Sequence, residues 1–173
     1  MSLLLRLKNR GLAAAATAFP KLGERFARAY QAERVDDAVP WVPVTKPLSA
    51  STIGLVTTAG VHHRGQPPYD MHDRDGDPSF RELDLRLPLD SLMITHDYYD
   101  HADADRDLNV VFPVERLREL AAAGEIGGVA SLAYGFMGHI TGPHLETLKR
   151  ESAPRIAALL AKDRVDAVLL TPG

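Results

Sequence analysis

The chain has 173 residues, of which 45% are hydrophobic and 25% charged, with a net charge of −3 and no cysteine. That composition suits one domain with a sizeable core and excludes a disordered chain. It leaves no basic footprint for nucleic acid, no disulfide framework and no thiolate metal site, and no apolar run approaches the roughly 18 residues that a membrane span needs. A cytoplasmic protein is expected.

The first residues, MSLLLRLKNRGLAAAATAFP, are apolar but interrupted by Arg6, Lys8 and Arg10. A cleaved signal peptide reads the other way round, with its charge before its apolar stretch. Residues 1–38 are predicted as a helical segment, with Leu22, Phe26, Ala29 and Tyr30 at helical spacing and Pro20 between two helices. Residues 39–51 are rich in proline and predict an extended linker, pinned by the packing of Trp41.

Residues 52–173 predict an α/β domain. Ile53–Thr58 is short, continuous and β-branched, as a strand buried on both faces should be. Residues 61–88 are polar and read as one long loop, of the kind that is usually functional. Ser91–Thr95 is a second strand. FPVERLRELAAAG is a helix with Pro113 in its first turn, Val114, Leu117, Leu120 and Ala121 on one face, and Gly124 at its end. Val129–Tyr134 is a third strand. GPHLETLKRESAPRIAALLAKD is helical, kinked or restarted by Pro154 after Ser152, and Asp166–Thr171 is the last strand. The alternation predicts a Rossmann-like, mostly parallel sheet flanked by helices, with ligands beyond the carboxyl ends of its strands. The final strand wants cover on both faces, so the fold is expected to be incomplete at the C-terminus.

His62, His63, His72, His96, His101, His139 and His144 all fall between residues 62 and 144, and most stand just after a strand. If the strands are parallel, His62, His63, His96, His101 and His139 share one edge, with Asp97 and Asp100 nearby. Such a set can bind a metal, exchange protons near neutral pH, or consist of ordinary hydrogen-bonded loop residues; the spacing does not choose between them. DRDGDPSFREL has Pro78 and Asp84 where a calcium loop needs Gly and Glu. DHADADRD reads as a solvated acidic loop. No phosphate-binding glycine motif is present.

The stretches LVTTAGVHHRGQPPYDMHDRDGDPSFREL, THDYYDHADADRDLNVVFPVERLREL, GFMGH and DAVLLTPG resemble, in order, the selenoprotein B family. These are the substrate-reducing components of glycine, sarcosine, betaine and D-proline reductases. The likeness runs from about Trp41 to Gly173 and is greatest to the short, D-proline-reductase-like members. It implies a reductive C–N cleavage. A pyruvoyl group on a partner subunit activates the amine of a small amino acid, a selenocysteine on component B attacks the α-carbon, and a thioredoxin-like donor restores the selenol. Selenium ionises well below neutral pH and is a strong, soft nucleophile.

The resemblance marks His62, His63, His96, Asp97, His101 and His139 as catalytic candidates and Arg64, Tyr98 and Tyr134 as substrate-binding candidates, with no metal and no cofactor held by this chain. Cationic histidines would hold the selenolate and the substrate carboxylate, and one would protonate the departing amine. The redox residue of the family follows LLTP(G/A), so a selenocysteine is expected immediately after Gly173 and the 173 residues alone are expected to be inactive. An oligomer working with a pyruvoyl-containing subunit is expected. Two other readings stand: a non-catalytic small-molecule-binding or partner subunit, and a His/Asp metal-dependent hydrolase.

Overall fold

The structure is a computed structural model that describes residues 3–21, 24–25 and 42–173. Leu22, Phe26, Ala29, Tyr30 and Trp41 lie outside the described residues, as do the roles expected for them. In chain order the main elements are α1 (Leu3–Ala18), β1 (Thr52–Thr57), β2 (Val61–His63), β3 (Arg81–Asp84), β4 (Leu92–Ile94), α2 (Ala102–Arg106), α3 (Val114–Ala122), β5 (Gly128–Val129), β6 (Leu132–Gly135), α4 (His144–Thr147), α5 (Ala153–Lys162) and β7 (Ala167–Thr171).

The β-branched run after Ser51 becomes β1, the middle of the sheet. On one side it pairs in parallel with β5 and then β6, and on the other with β7, from Ile53 opposite Ala167 to Thr57 opposite Thr171. Outside β6 lies β3, antiparallel, with Arg81 opposite Gly135. The class is α/β as expected, but the sheet is mixed. The reason sits in residues 61–88, which are not one loop. Val61–His63 turns back and pairs antiparallel with β4, Val61 opposite Ile94, so Ser91–Thr95 supplies a separate two-stranded ribbon instead of a parallel strand of the sheet. Arg81–Asp84 then forms the antiparallel edge.

The period of two along β1 divides the core. Ile53 and Leu55 face one way, into a cluster with Leu83, Phe112, Val114 and Leu117 that α3 closes. Val56 faces the other way, with Tyr134, Phe136, Ile140, Ile156 and Leu160 under α5. A side chain of this kind contributes about 1.5–3 kcal/mol when fully buried, so these two layers fix the register of β1. The Thr57 and Thr171 hydroxyls both donate to the Val111 carbonyl, at 3.0 and 2.7 Å, pinning the entry to α3 across β1 and β7. Pro154 does restart a helix: α4 passes through a π turn, Leu148–Ser152, before α5. Loss of an i−4 partner at proline explains the wider turn.

Cover is uneven on β7. Val168, Leu169 and Leu170 are 41%, 38% and 71% exposed. Val168 and Leu170 border an apolar groove of about 410 Å³ whose other walls include Phe136, Ile140, Leu148 and Ile156. At the start of the strand the Asp166 carboxylate accepts from Lys46 Nζ and from the Thr52 amide, both at 2.8 Å, clamping the incoming linker to β1. The lysine hydrogen bond holds this carboxyl below the usual carboxylate range.

Candidate functional site

Segments leaving β1, β4, β6 and β7 meet at the carboxyl end of the parallel strands. Gly60 N–H donates to the Phe136 carbonyl at 2.8 Å, Thr95 N–H to Gly60 at 2.9 Å, and Thr58 N–H to Thr171 at 2.9 Å. The Tyr99 hydroxyl donates to the Ala59 carbonyl at 3.1 Å. Gly173 lies against the same residue: a methyl group built on it would come 2.8 Å from Ala59 Cβ. Ala59 is therefore shared by β1, the 95–101 segment and Gly173.

A chain of rings lines this junction. Tyr98 stacks on His139, centroids 4.1 Å apart and planes 19° from parallel. His96 meets Tyr98 edge-on at 5.8 Å and Tyr99 at 4.8 Å, and Tyr99 meets His101 at 5.6 Å. His96, Tyr98, His101 and His139 are thus brought together, with Asp97 buried beside them.

Their hydrogen bonds assign the protons. His96 Nδ1 accepts from the Tyr98 amide at 3.1 Å, so in the neutral ring the proton is on Nε2. That nitrogen lies beside Gly138, where a built methyl group would come within 3.4 Å of it. Burial, then repulsion from His139 and His101, lowers the His96 pKa to about 4. At neutral pH His96 is an uncharged donor, which removes it from the cationic histidines expected to hold an anion. His139 lies against the Arg74 carbonyl, Nε2 to O 3.1 Å, and must donate there. His101 pairs through Nδ1 with Asp105 Oδ2 at 2.8 Å. Burial raises the Tyr98 and Tyr99 hydroxyls above the ordinary tyrosine range, so both stay protonated.

The remaining candidates lie elsewhere. In β2, His62 is enclosed, with Nδ1 2.9 Å from the His63 carbonyl and Nε2 2.8 Å from Thr95 Oγ1. The carbonyl can only accept, so Nδ1 carries the proton and Nε2 takes the threonine hydroxyl's; burial lowers this histidine's pKa. His63 Nδ1 meets Ser91 Oγ at 2.8 Å, and its Nε2 is buried with no hydrogen-bond partner. Arg64 is exposed and reaches the Asp90 carbonyl, Nε to O 3.4 Å. It lines a crevice of about 590 Å³ together with His101, Asp105 and Arg106. Tyr134 is wholly enclosed in the core, its ring edge-on to Phe80 and its hydroxyl unpartnered.

Two residues escaped the sequence reading. Tyr99 is the bridge to Ala59, and its neighbour Tyr98 drew the attention. Asp105 lies in what reads as a solvated acidic loop but is a short helix, α2, with His101 at its N-cap position. The i,i+4 spacing of His101 and Asp105 is the signal that could have found the pair. Among the described residues, no group of three His, Asp or Glu is placed to hold a metal ion. Nor is any helix long and apolar enough to cross a membrane.

The fold and the ring-lined junction define an α/β protein with imidazoles at the carboxyl end of a mixed sheet, and comparison with known proteins narrows that class. The family model described as glycine/sarcosine/betaine reductase selenoprotein B matches residues 18–173. The chain belongs to that family, as its motifs suggest. It is 39% identical over 133 residues to the D-proline reductase subunit gamma of Acetoanaerobium sticklandii, covering 77% of this chain and 53% of the relative. It is 34% identical over 139 residues to a glycine reductase complex component B subunit gamma of Carboxydothermus hydrogenoformans, covering 78% and 31%. It is 32% identical over 148 residues to a betaine reductase complex component B subunit beta of Peptoclostridium acidaminophilum, covering 82% and 31%. The chain thus spans about half the length of the first of these relatives and about a third of the other two. No solved structure matches it.

Proposed function

We propose that this chain is a component-B-type part of a glycine, sarcosine, betaine or D-proline reductase-like system, cleaving a C–N bond reductively in the cytoplasm. The carrying observation is the family match across residues 18–173, which takes in every segment meeting at the carboxyl end of the sheet. The chain holds no thiol or selenol. In this reading the selenocysteine follows Gly173, which lies against Ala59 at the ring cluster, and the exposed apolar β7 is covered by further structure that completes a Rossmann-like sheet. The pyruvoyl group belongs to a partner subunit, and a thioredoxin-like donor returns the selenol to its reduced state.

The residues on hand support such chemistry in distinct ways. His96 offers a neutral N–H donor, the Tyr98–His139 stack a flat wall, and Arg64 a bidentate partner for a carboxylate. The nucleophile itself would be the selenol, whose ionisation at neutral pH supplies the reactive form. The test has two parts. The nucleotides beyond codon 173 should read UGA, followed by a selenocysteine-insertion hairpin and an open frame. The protein encoded by that frame, combined with its pyruvoyl-type partner and a dithiol, should release amine from at least one of the four substrates. An ordinary stop without a further frame, or no amine release from any of the four, overturns the reading.

A further inference from the structure

We propose that Asp105 is a positioning residue that fixes His101 as the proton-carrying imidazole of the crevice beside Arg64, with Nδ1–H held by the carboxylate and Nε2 left for a ligand. It deepens the reductase reading by naming which histidine moves a proton and what orients it.

Five of the other six histidines are set apart from His101 by their hydrogen bonds. His62 has both ring nitrogens engaged and is enclosed. His63 donates through Nδ1, because the Ser91 hydroxyl is already spent on the Pro88 carbonyl at 2.6 Å, and its Nε2 is shut inside the protein. His96 has its Nδ1 committed to the Tyr98 amide and stays neutral. His139 is held through Nε2 by the Arg74 carbonyl, a neutral partner and not a carboxylate. His144 pairs with Asp73, far along the chain in the 70–77 turn, and is not in the wall of the Arg64 crevice.

His101 differs from each. It has a carboxylate on Nδ1, and its side chain keeps 15% of its surface open. It lines two crevices, the one of about 590 Å³ with Arg64 and Arg106, and another of about 430 Å³ under α1. A histidine held through Nδ1 by a carboxylate at the wall of a cavity is the arrangement by which proton transfer is directed in many unrelated enzymes. Asp105 does this from an i,i+4 position on a helix whose N-cap is His101 itself, so the pair is set by local geometry. Edge-on contact with Tyr99, which is bonded to Ala59, ties the imidazole to the residue against Gly173.

In the reductase reading the proton goes from His101 Nε2 to the departing nitrogen, which leaves with the electron pair of the broken C–N bond. The new bond to carbon comes from a selenolate or thiolate nucleophile. Asp105 accepts from Nδ1–H and keeps the ring in place for the transfer.

The test reads tautomers directly, by two-bond proton–nitrogen NMR on the uniformly 15N-labelled 173-residue chain at pH 8.5. His101 should carry its proton on Nδ1. Asp105→Ala should move it to Nε2 while the pattern of His96 stays unchanged; Asp105 is largely exposed, so this variant is expected to fold. A wild-type His101 protonated on Nε2, or a tautomer unmoved by the substitution, overturns the proposal, and the wild-type spectrum decides even if the variant fails to fold. In the assembled reductase, Asp105→Asn should lower kcat by about 10–100-fold, the scale on which a lost orienting partner of a metal-bound histidine acts, with KM within about twofold. An unchanged kcat in an active enzyme also overturns it, whereas a wild-type assembly with no activity counts against the reductase reading alone.

Discussion

A histidine that stays neutral stores a dependence on pH. In His96 the folded pKa lies near 4 and the unfolded one near 6.5. Between those values the unfolded chain binds a proton that the folded chain refuses. Stability therefore falls as pH drops through that window, by up to about 3 kcal/mol for a shift of this size. His62, also lowered by burial, adds in the same direction. Urea unfolding at pH 7.5, 6.5, 5.5 and 4.5 should show this decline, and His96→Gln should flatten it; equal slopes in the two proteins would remove His96 as its source. Gly138 offers a second check. Its φ is +86°, and an added methyl would run into the Thr58 carbonyl. Gly138→Ala should cost about 1–3 kcal/mol, while Gly65→Ala, with open space around it, should stay within about 0.5 kcal/mol. Unfolding midpoints measure both. The histidines themselves were legible as a group because they cluster in sequence after strands. Their individual states were not, because a tautomer depends on a backbone amide or carbonyl that only the folded chain brings near, as the Tyr98 amide is brought to His96.

At the scale of elements, β7 is the weak member. Its neighbour β1 is covered on both faces, and Leu55 is 1% exposed, whereas Leu170 is 71% exposed. Leu55→Ala should cost about 2–5 kcal/mol. Leu170→Lys should change stability by no more than about 0.5 kcal/mol yet reduce self-association, since charge on an exposed edge opposes strand pairing between molecules. Light scattering over a concentration series would show it; aggregation unaffected by the lysine would place the sticky surface elsewhere. Strands β1, β6 and β7 and helices α3 and α5 could be read from periodicity, because each is apolar at the spacing its partner demands. The short strands could not. Val61–His63 and Arg81–Asp84 carry histidines and charges in a stretch that looks like loop, and they become strands because β4 and β6 present open edges to them. This is tertiary context overriding local preference.

For the whole molecule, composition already bears on chemistry. With no cysteine and no selenocysteine in 173 residues, the chain should show no turnover of D-proline or glycine with dithiothreitol as reductant; amine release by the purified chain would require a nucleophile of another kind. The sheet topology carries a different consequence. Its central strand is made near residue 53 but is completed by residues near 167, and the Thr52 amide finds its Asp166 acceptor 114 residues away. Loops that long must close before the pairing returns any stabilisation, which is the situation that slows folding. The helices form in microseconds or less, but β1 cannot gain its partner on this side until β7 has been synthesised. Refolding should therefore be slow for a chain of this size, on the order of milliseconds to seconds. On the ribosome, β1 would wait with one edge unpaired while the 114 residues from Thr52 to Asp166 are added, an interval during which a chaperone could hold it.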